Sequence, residues 1–224
     1  MKRPAQRRNS KLESLRRLEQ SALALFSSRG YDGTSLRDIA EDAGVQLSLI
    51  DRYFGNKLHL FQEIHLRIWR SINQERLELL AKARRTEAGS IALDEIVRAF
   101  AKPVVCLALS SPNGQAAIRL IREGRVFLVH RHLDGSERNA IRQPFIDALI
   151  AARPRLSRSH AVWGLSFLID TVYSRQLLDD WLNDLMLDAQ CLSVDEVTEV
   201  IVTFCSAGLD ALAQRAPSGD AKTV

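Results

Sequence analysis

At 224 residues, with 46% hydrophobic and only 6% aromatic content, the chain is long enough to bury one or two cores without disulfides or metals. Its basic N-terminus lacks the apolar run of a signal peptide, and its longest uncharged apolar run, residues 103–109, is too short to cross a membrane. A soluble cytoplasmic protein is therefore expected. The formal net charge of +4 is unevenly placed, since residues 1–57 hold eleven Lys/Arg against seven Asp/Glu while residues 58–224 hold twenty of each.

Period-3.6 apolar spacing recurs throughout and no run of strand alternation stands out, so the predicted fold class is all-α, with about nine or ten helices. A basic arm comes first, with Lys2, Arg3, Arg7, Arg8, Lys11, Arg16 and Arg17 opposed only by Glu13. Ser10 with Glu13 forms a capping-box signature for a first helix, whose face of Leu15, Leu18, Ala22, Leu25 and Phe26 runs to Gly30. Thr34 or Ser35 caps a second helix, with Leu36, Ile39 and Ala40 on one side and Gly44 at its end. A third helix spans about Gln46 to Tyr53, and Gly55-Asn56 separates it from a long fourth helix over about 57–82.

Two helices crossing steeply through a short turn require a residue tolerant of left-handed backbone in the turn and a small residue at the contact. Gly44 and Ala40 supply them, and Ile50 anchors the third helix. Gln46, Leu47, Ser48, Leu49, Asp51 and Arg52 are left more exposed, as a helix entering a DNA groove requires. The basic arm, with Arg7 and Arg8, is a candidate for phosphate or minor-groove contact, and Arg37 and Arg52 for phosphate or base contact.

The run "ALALFSSRGYDGTSLRDIAEDAGVQLSLIDRYFGNKLHLFQEI" resembles the DNA-binding domain of the TetR family of transcriptional regulators over about residues 11–64. The resemblance implies a homodimeric repressor with an N-terminal three-helix helix-turn-helix domain. It also implies an all-α C-terminal domain that dimerises and binds a small-molecule effector. By the same resemblance Tyr53 and Lys57 grip the DNA backbone, and the Thr34/Ser35 cap also touches phosphate. One departure is Asp51, which stands where the family often has tyrosine. An acid there repels phosphate; it is expected either to pair with Arg37 or Arg52 or to accept from a cytosine amino group.

Beyond a polar connection at 84–90, a fifth helix is expected from Ile91 to Leu109 with a kink at Pro103, and a sixth over 115–133 after a "SSPNG" loop. A seventh follows over 137–152. Ser157 or Ser159 opens one long helix over about 158–188, and Ser193 with Glu196 caps another over about 194–213. These last two are the expected homodimer interface, with Gly164, Ser206, Ala207 and Gly208 small enough for close crossing. Residues 159–214 hold nine acids and one base, Arg175, so that end should avoid nucleic acid.

The expected domains are 1–57 for DNA binding, 58–215 for effector binding and dimerisation, and 216–224 as a disordered tail. Candidate effector-pocket residues are Phe100, Val104, Leu107, Phe127, Trp163 and Phe167, which suit a mainly hydrophobic ligand, with Arg119 or Arg122 for an anionic group; plain core is the competing reading. Cys106, Cys191 and Cys205 read as buried thiols, with a redox sensor as the remote alternative. His59, His65, His130, His132 and His160 show no metal spacing, and no P-loop, GxSxG or Rossmann fingerprint occurs. No cofactor and no enzymatic activity are expected. The partner is double-stranded operator DNA, and the effector is unknown. The alternative function is a DNA-binding protein of the same fold that acts through a protein partner without a small molecule.

Overall fold

A computed structural model of the chain describes residues 4–85, 89–110, 112–127, 135–174 and 193–215. Among them are nine α-helices: α1 (Pro4–Arg29), α2 (Leu36–Asp42), α3 (Leu47–Phe54), α4 (Lys57–Lys82), α5 (Leu93–Ser110), α6 (Pro112–Phe127), α7 (Gly135–Ala152), α8 (Arg158–Val172) and α9 (Val194–Arg215). The fold is all-α. An isolated bridge between Arg85 and Ile91 is the only β pairing among the described residues.

Local chemistry accounts for most helix ends. Ser35 caps α2 in a reciprocal box with Asp38: the Asp38 amide donates to Ser35 Oγ at 3.1 Å, and the Ser35 amide donates to the Asp38 carboxylate at 3.0 Å. The Ser35 hydroxyl, donating to the Asp38 carboxylate at 2.7 Å, and then the Ser35 amide hold that carboxyl below its usual range. Asn56 Oδ1 caps α4 by accepting from the His59 amide at 2.8 Å, and Ser157 caps α8 through the His160 amide at 3.2 Å. Ser193 and Glu196 form the predicted box before α9, with the Ser193 amide donating to Glu196 at 2.7 Å.

Helix boundaries differ from the sequence reading at three places, in α1, α6 and α8, while α5 runs on past its proline. α1 begins at Pro4 rather than Ser10, because a proline's fixed φ and missing N–H suit the first helical position. α6 starts at Pro112, three residues early, for the same reason. α5 continues through Pro103, which is itself buried. α8 closes at Tyr173, so the helix does not run on to Asp188. Residues 128–134, 175–192 and 216–224, with His130, His132, Arg175, Trp181, Cys191 and the expected tail, lie outside the described residues.

The chain divides into two compact units, residues 1–71 with 111–132, and residues 72–110 with 133–224. The first is built on Leu18, Ala22, Phe26, Ile39, Ile50, Leu60 and Phe61, all fully buried, with Leu120 of α6 joining them. Phe26 and Phe61 meet edge to face at 5.2 Å, and Tyr31 packs against both. At roughly 2–3 kcal/mol of burial per large apolar side chain, this cluster rather than helix propensity holds the short helices.

In the second unit α5 is central, packed by α7, α8 and α9. Phe100 meets Phe145 edge to face at 5.0 Å. A Cβ at Gly164 would collide with the Leu209 side chain, so α8 and α9 cross closely, as the small residue suggests. Arg76, on the apolar face of α4, is 3% exposed; its guanidinium lies 3.6 Å from the Phe100 ring centroid, and its Nε donates to the Phe100 carbonyl at 2.8 Å. Cys106 is exposed and Cys205 half-buried, so the first is not the buried thiol expected of it.

His65 is 1% exposed, its ring stacked on Phe61 in the first unit. Burial lowers its pKa from 6.5 to about 4. A depressed histidine pKa means the unfolded chain takes up the proton first. Stability is therefore complete above pH 6.5, is lost as pH falls from 6.5 toward 4, and stops falling below that. Denaturant titrations should show about 2–3 kcal/mol of pH-dependent loss between pH 7.5 and 4.5 that disappears in His65→Leu. An unchanged pH profile in the variant would mean that His65 is not held neutral.

Candidate nucleic-acid interface

The turn between α2 and α3 is a Schellman close. The Val45 amide donates to the Ala40 carbonyl at 2.9 Å and the Gly44 amide to the Glu41 carbonyl at 3.0 Å, with Gly44 at φ +61°. That left-handed residue reverses the chain, and Ile50 and Phe54 then seat α3 in the core, helped by half-buried Leu49 and Tyr53. The opposite face is left to solvent: Gln46, Leu47, Ser48, Asp51 and Arg52 are all exposed. Gln46 occupies the position before α3 without capping it through its side chain.

The flanking candidates divide by what their side chains already hold. Ser35 and Arg37 are exposed at the start of α2. Thr34 is 1% exposed, and its hydroxyl donates to the carbonyls of Leu25 at 3.1 Å and Gly30 at 2.9 Å. Thr34 is thus neither the cap nor an accessible phosphate donor, because those two carbonyls close the turn after α1. Lys57 is half-buried; its Nζ donates to the carbonyls of Tyr31 at 3.0 Å and Thr34 at 3.1 Å and lies 4.3 Å from the Tyr31 ring centroid. It ties the start of α4 to the α1–α2 turn, a structural role that the sequence pattern does not reveal.

Tyr53 packs its ring on the core and carries Lys11 Nζ at 4.8 Å from its centroid. Lys11 and Arg17, both exposed on α1 and counted in the sequence only as part of the basic arm, are neighbours of the recognition helix. Between α1 and α3 lies an open groove of about 400 Å³, lined by Ser14, Gly44, Gln46, Ser48 and Arg52 among others. A signal was available: Lys11, Ser14 and Arg17 fall at three-residue steps, on one side of a helix. Asp51 is exposed and pairs with neither Arg37 nor Arg52 among the described residues, contrary to the expected ion pair. Arg7 and Arg8 fall within the first turns of α1, and their side chains lie outside the described residues.

The effector-pocket candidates do not form one set. Phe100 and Val104 are buried in the core of the second unit and Leu107 is half-buried there. Arg119 and Arg122 are half-buried in the first unit, and the Phe127 side chain lies outside the described residues. Trp163 and Phe167 are 60% and 57% exposed, stacked on each other at 5.8 Å. They line an outer face of α8 and not an enclosed cavity, because the inner face is taken by Ala161, Leu165 and Leu168. No group of three metal-ligating side chains occurs among the described residues, and none of the helices searched is long and apolar enough to cross a membrane.

Comparison with known proteins agrees with this geometry. The family signature of bacterial regulatory proteins, tetR family, matches residues 20–64, and that of the tetracyclin repressor-like C-terminal domain matches residues 98–208. None of the curated proteins matches the sequence. Among solved structures, a transcriptional regulator from Pseudomonas aeruginosa PAO1 superposes with a TM-score of 0.63 at 18% identity, over 89% of this chain and 90% of that one. A TetR-like regulator from Rhodococcus sp. RHA1 gives 0.61 at 16% identity, over 88% and 96%. AibR in complex with isovaleryl coenzyme A and operator DNA gives 0.56 at 17% identity, over 85% and 97%. These likenesses are of fold; the two signatures, which together span both ends of the chain, carry the assignment. The protein belongs to the TetR family of transcriptional regulators, which are DNA-binding proteins and not enzymes.

Proposed function

We propose that the protein is a ligand-responsive repressor that binds a near-palindromic operator as a homodimer, with residues 1–57 on the DNA and residues 58–215 providing effector binding and dimerisation. The observation that carries this reading is α3, whose one face is locked into a core by Ile50 and Phe54 while Gln46, Leu47, Ser48 and Arg52 stand in solvent on the other. Ser35, Arg37, Tyr53 and Lys57 flank it as backbone-gripping residues, Lys57 doing so from the pinned start of α4. Mapping the genomic DNA bound by the protein tests the assignment directly. Recovery of no enriched sites would overturn it.

Dimerisation is supported by an apolar face on α8 and α9, where Val162, Trp163, Phe167, Val200 and Phe204 are between 46% and 74% exposed in the single chain. A two-fold axis lets α8 and α9 meet their copies as a four-helix interface, and so sets two recognition helices about one DNA turn apart or more. The same face also suits the alternative reading, in which a different protein covers it.

An effector releases DNA only by preferring a conformation in which the two recognition helices no longer match successive grooves. Phe100, Val104 and Leu107 supply apolar surface in the second unit, which favours a mainly hydrophobic ligand, and AibR offers a precedent of this fold with a ligand and operator bound together.

Three outcomes are expected. Gln46→Ala and Ser48→Ala should shift preference among sites by about 1–3 kcal/mol with little loss of thermal stability, since both side chains are exposed, whereas Lys57→Met should lower DNA affinity and melting temperature together. Binding-site selection with melting curves on the same preparations separates the two patterns. Sedimentation of dilute protein should give twice the chain mass, and Trp163→Glu with Phe204→Glu should give a folded monomer; a monomeric wild type with equal DNA affinity would sink the dimer. Calorimetric titration of a releasing compound should show its affinity reduced by operator DNA by the same factor that the compound reduces DNA affinity, and equal ligand affinity with and without operator would exclude the scheme.

A further inference from the structure

Several cations of this protein are held by acids: Arg67 by Glu19, Arg84 by Glu95, Arg98 by Glu199, Lys102 by Asp195 and Arg153 by Asp210. Beside α3, three exposed cations have no carboxylate partner among the described residues: Lys11 and Arg17 of α1, and Arg52 of α3 itself. An exposed cation with no carboxylate beside it is available to an anion.

Their placement converges on one feature. A Cβ built on Gly44 would stand 3.7 Å from Arg17 Nη1, which puts that guanidinium against the helix-turn-helix turn. Lys11 is held over the Tyr53 ring. An open groove of about 400 Å³ is lined by Ser14 on the α1 side and by Gly44, Gln46, Ser48 and Arg52 on the other, so that Arg17 stands at its edge through Gly44. The Arg52 guanidinium, the Ser14 and Ser48 hydroxyls and the Gln46 amide line it, with the Arg17 guanidinium against Gly44 at its edge and the Lys11 ammonium over Tyr53, a set matched to the non-bridging oxygens of a phosphodiester.

We propose that α1 forms half of a phosphate notch, in which Lys11, Ser14 and Arg17 act with Arg52 to hold one phosphodiester of the DNA strand bordering the groove that α3 enters. This rests on the reading that the first unit binds duplex DNA, and extends it to residues of helix one that no helix-turn-helix spacing singles out. The notch fixes the depth and register of α3, while the exposed side chains of α3 face the bases.

The test uses the full chain and a fluorescein-labelled, mixed-sequence duplex of about 30 base pairs, titrated between 50 and 300 mM KCl, because a phosphate contact is sequence-independent and salt-dependent. Lys11→Gln and Arg17→Gln should each weaken binding at 100 mM salt by roughly fivefold and reduce the slope of log affinity against log salt by about one unit. The double variant should also lose about one unit, since both cations serve the same phosphate. Lys11→Arg should keep the slope, and Arg67→Gln, whose cation is already paired with Glu19, should leave it unchanged. Melting curves of the exposed-site variants should match wild type. Unchanged slopes in both single variants, or a loss of two units in the double, would overturn the shared notch while leaving DNA binding in place. A wild type that fails to bind the duplex at 50 mM salt would overturn the DNA-binding reading and the notch with it.

Discussion

An eight-residue helix does not hold its own shape in water, so what the first unit presents on its surface depends on how α3 is clamped from behind. Ile50 and Phe54 do this by burial against Phe26, Ile39 and Phe61. The clamp is extended by groups that close the surrounding turns: Thr34 donates to two carbonyls at the end of α1, and Lys57 donates to two more from the start of α4. Each polar group buried here satisfies backbone acceptors that would otherwise be left unpaired at a helix end. The exposed face of α3 is rigid because its buried face has no alternative place to pack.

That arrangement recasts the roles of conspicuous residues. A lysine and a threonine beside a recognition helix invite assignment to the DNA backbone, yet here the threonine is wholly internal and the lysine is anchored by carbonyls and an aromatic ring. For Lys57 the two roles are compatible, since an ammonium has three donors and two are directed inward. For Thr34 they are not. Conversely, Lys11 and Arg17 look like part of a solvated basic arm until α1 is seen to pass beside the turn at Gly44.

The second unit follows a different logic. Its core is aromatic and aliphatic around α5, with Arg76 accommodated by the Phe100 ring and carbonyl rather than by solvent, and its cations Arg98, Lys102 and Arg153 are each paired with an acid. The outer faces of α8 and α9 break this pattern, since tryptophan and phenylalanine there remain in water in a single chain. Apolar side chains grouped in water are the mark of an interaction surface, which is the support for the dimer proposed above.

The helix-turn-helix was legible in the sequence because its determinants are local. Glycine at a left-handed turn, alanine at the crossing, a serine cap with its carboxylate partner and apolar residues at helical spacing each act within a few residues, and the charge asymmetry follows from composition alone. The all-α class was legible for the same reason. What the sequence left undecided depends on residues distant along the chain: that His65 is buried, that α8 stops at Val172, that Trp163 and Phe167 face outward, and that α1 reaches back to lie beside α3. Periodicity says that a helix has an apolar face but not which neighbour covers it. Only tertiary packing decides that, because the free energy of burial belongs to the pair of surfaces and not to either segment.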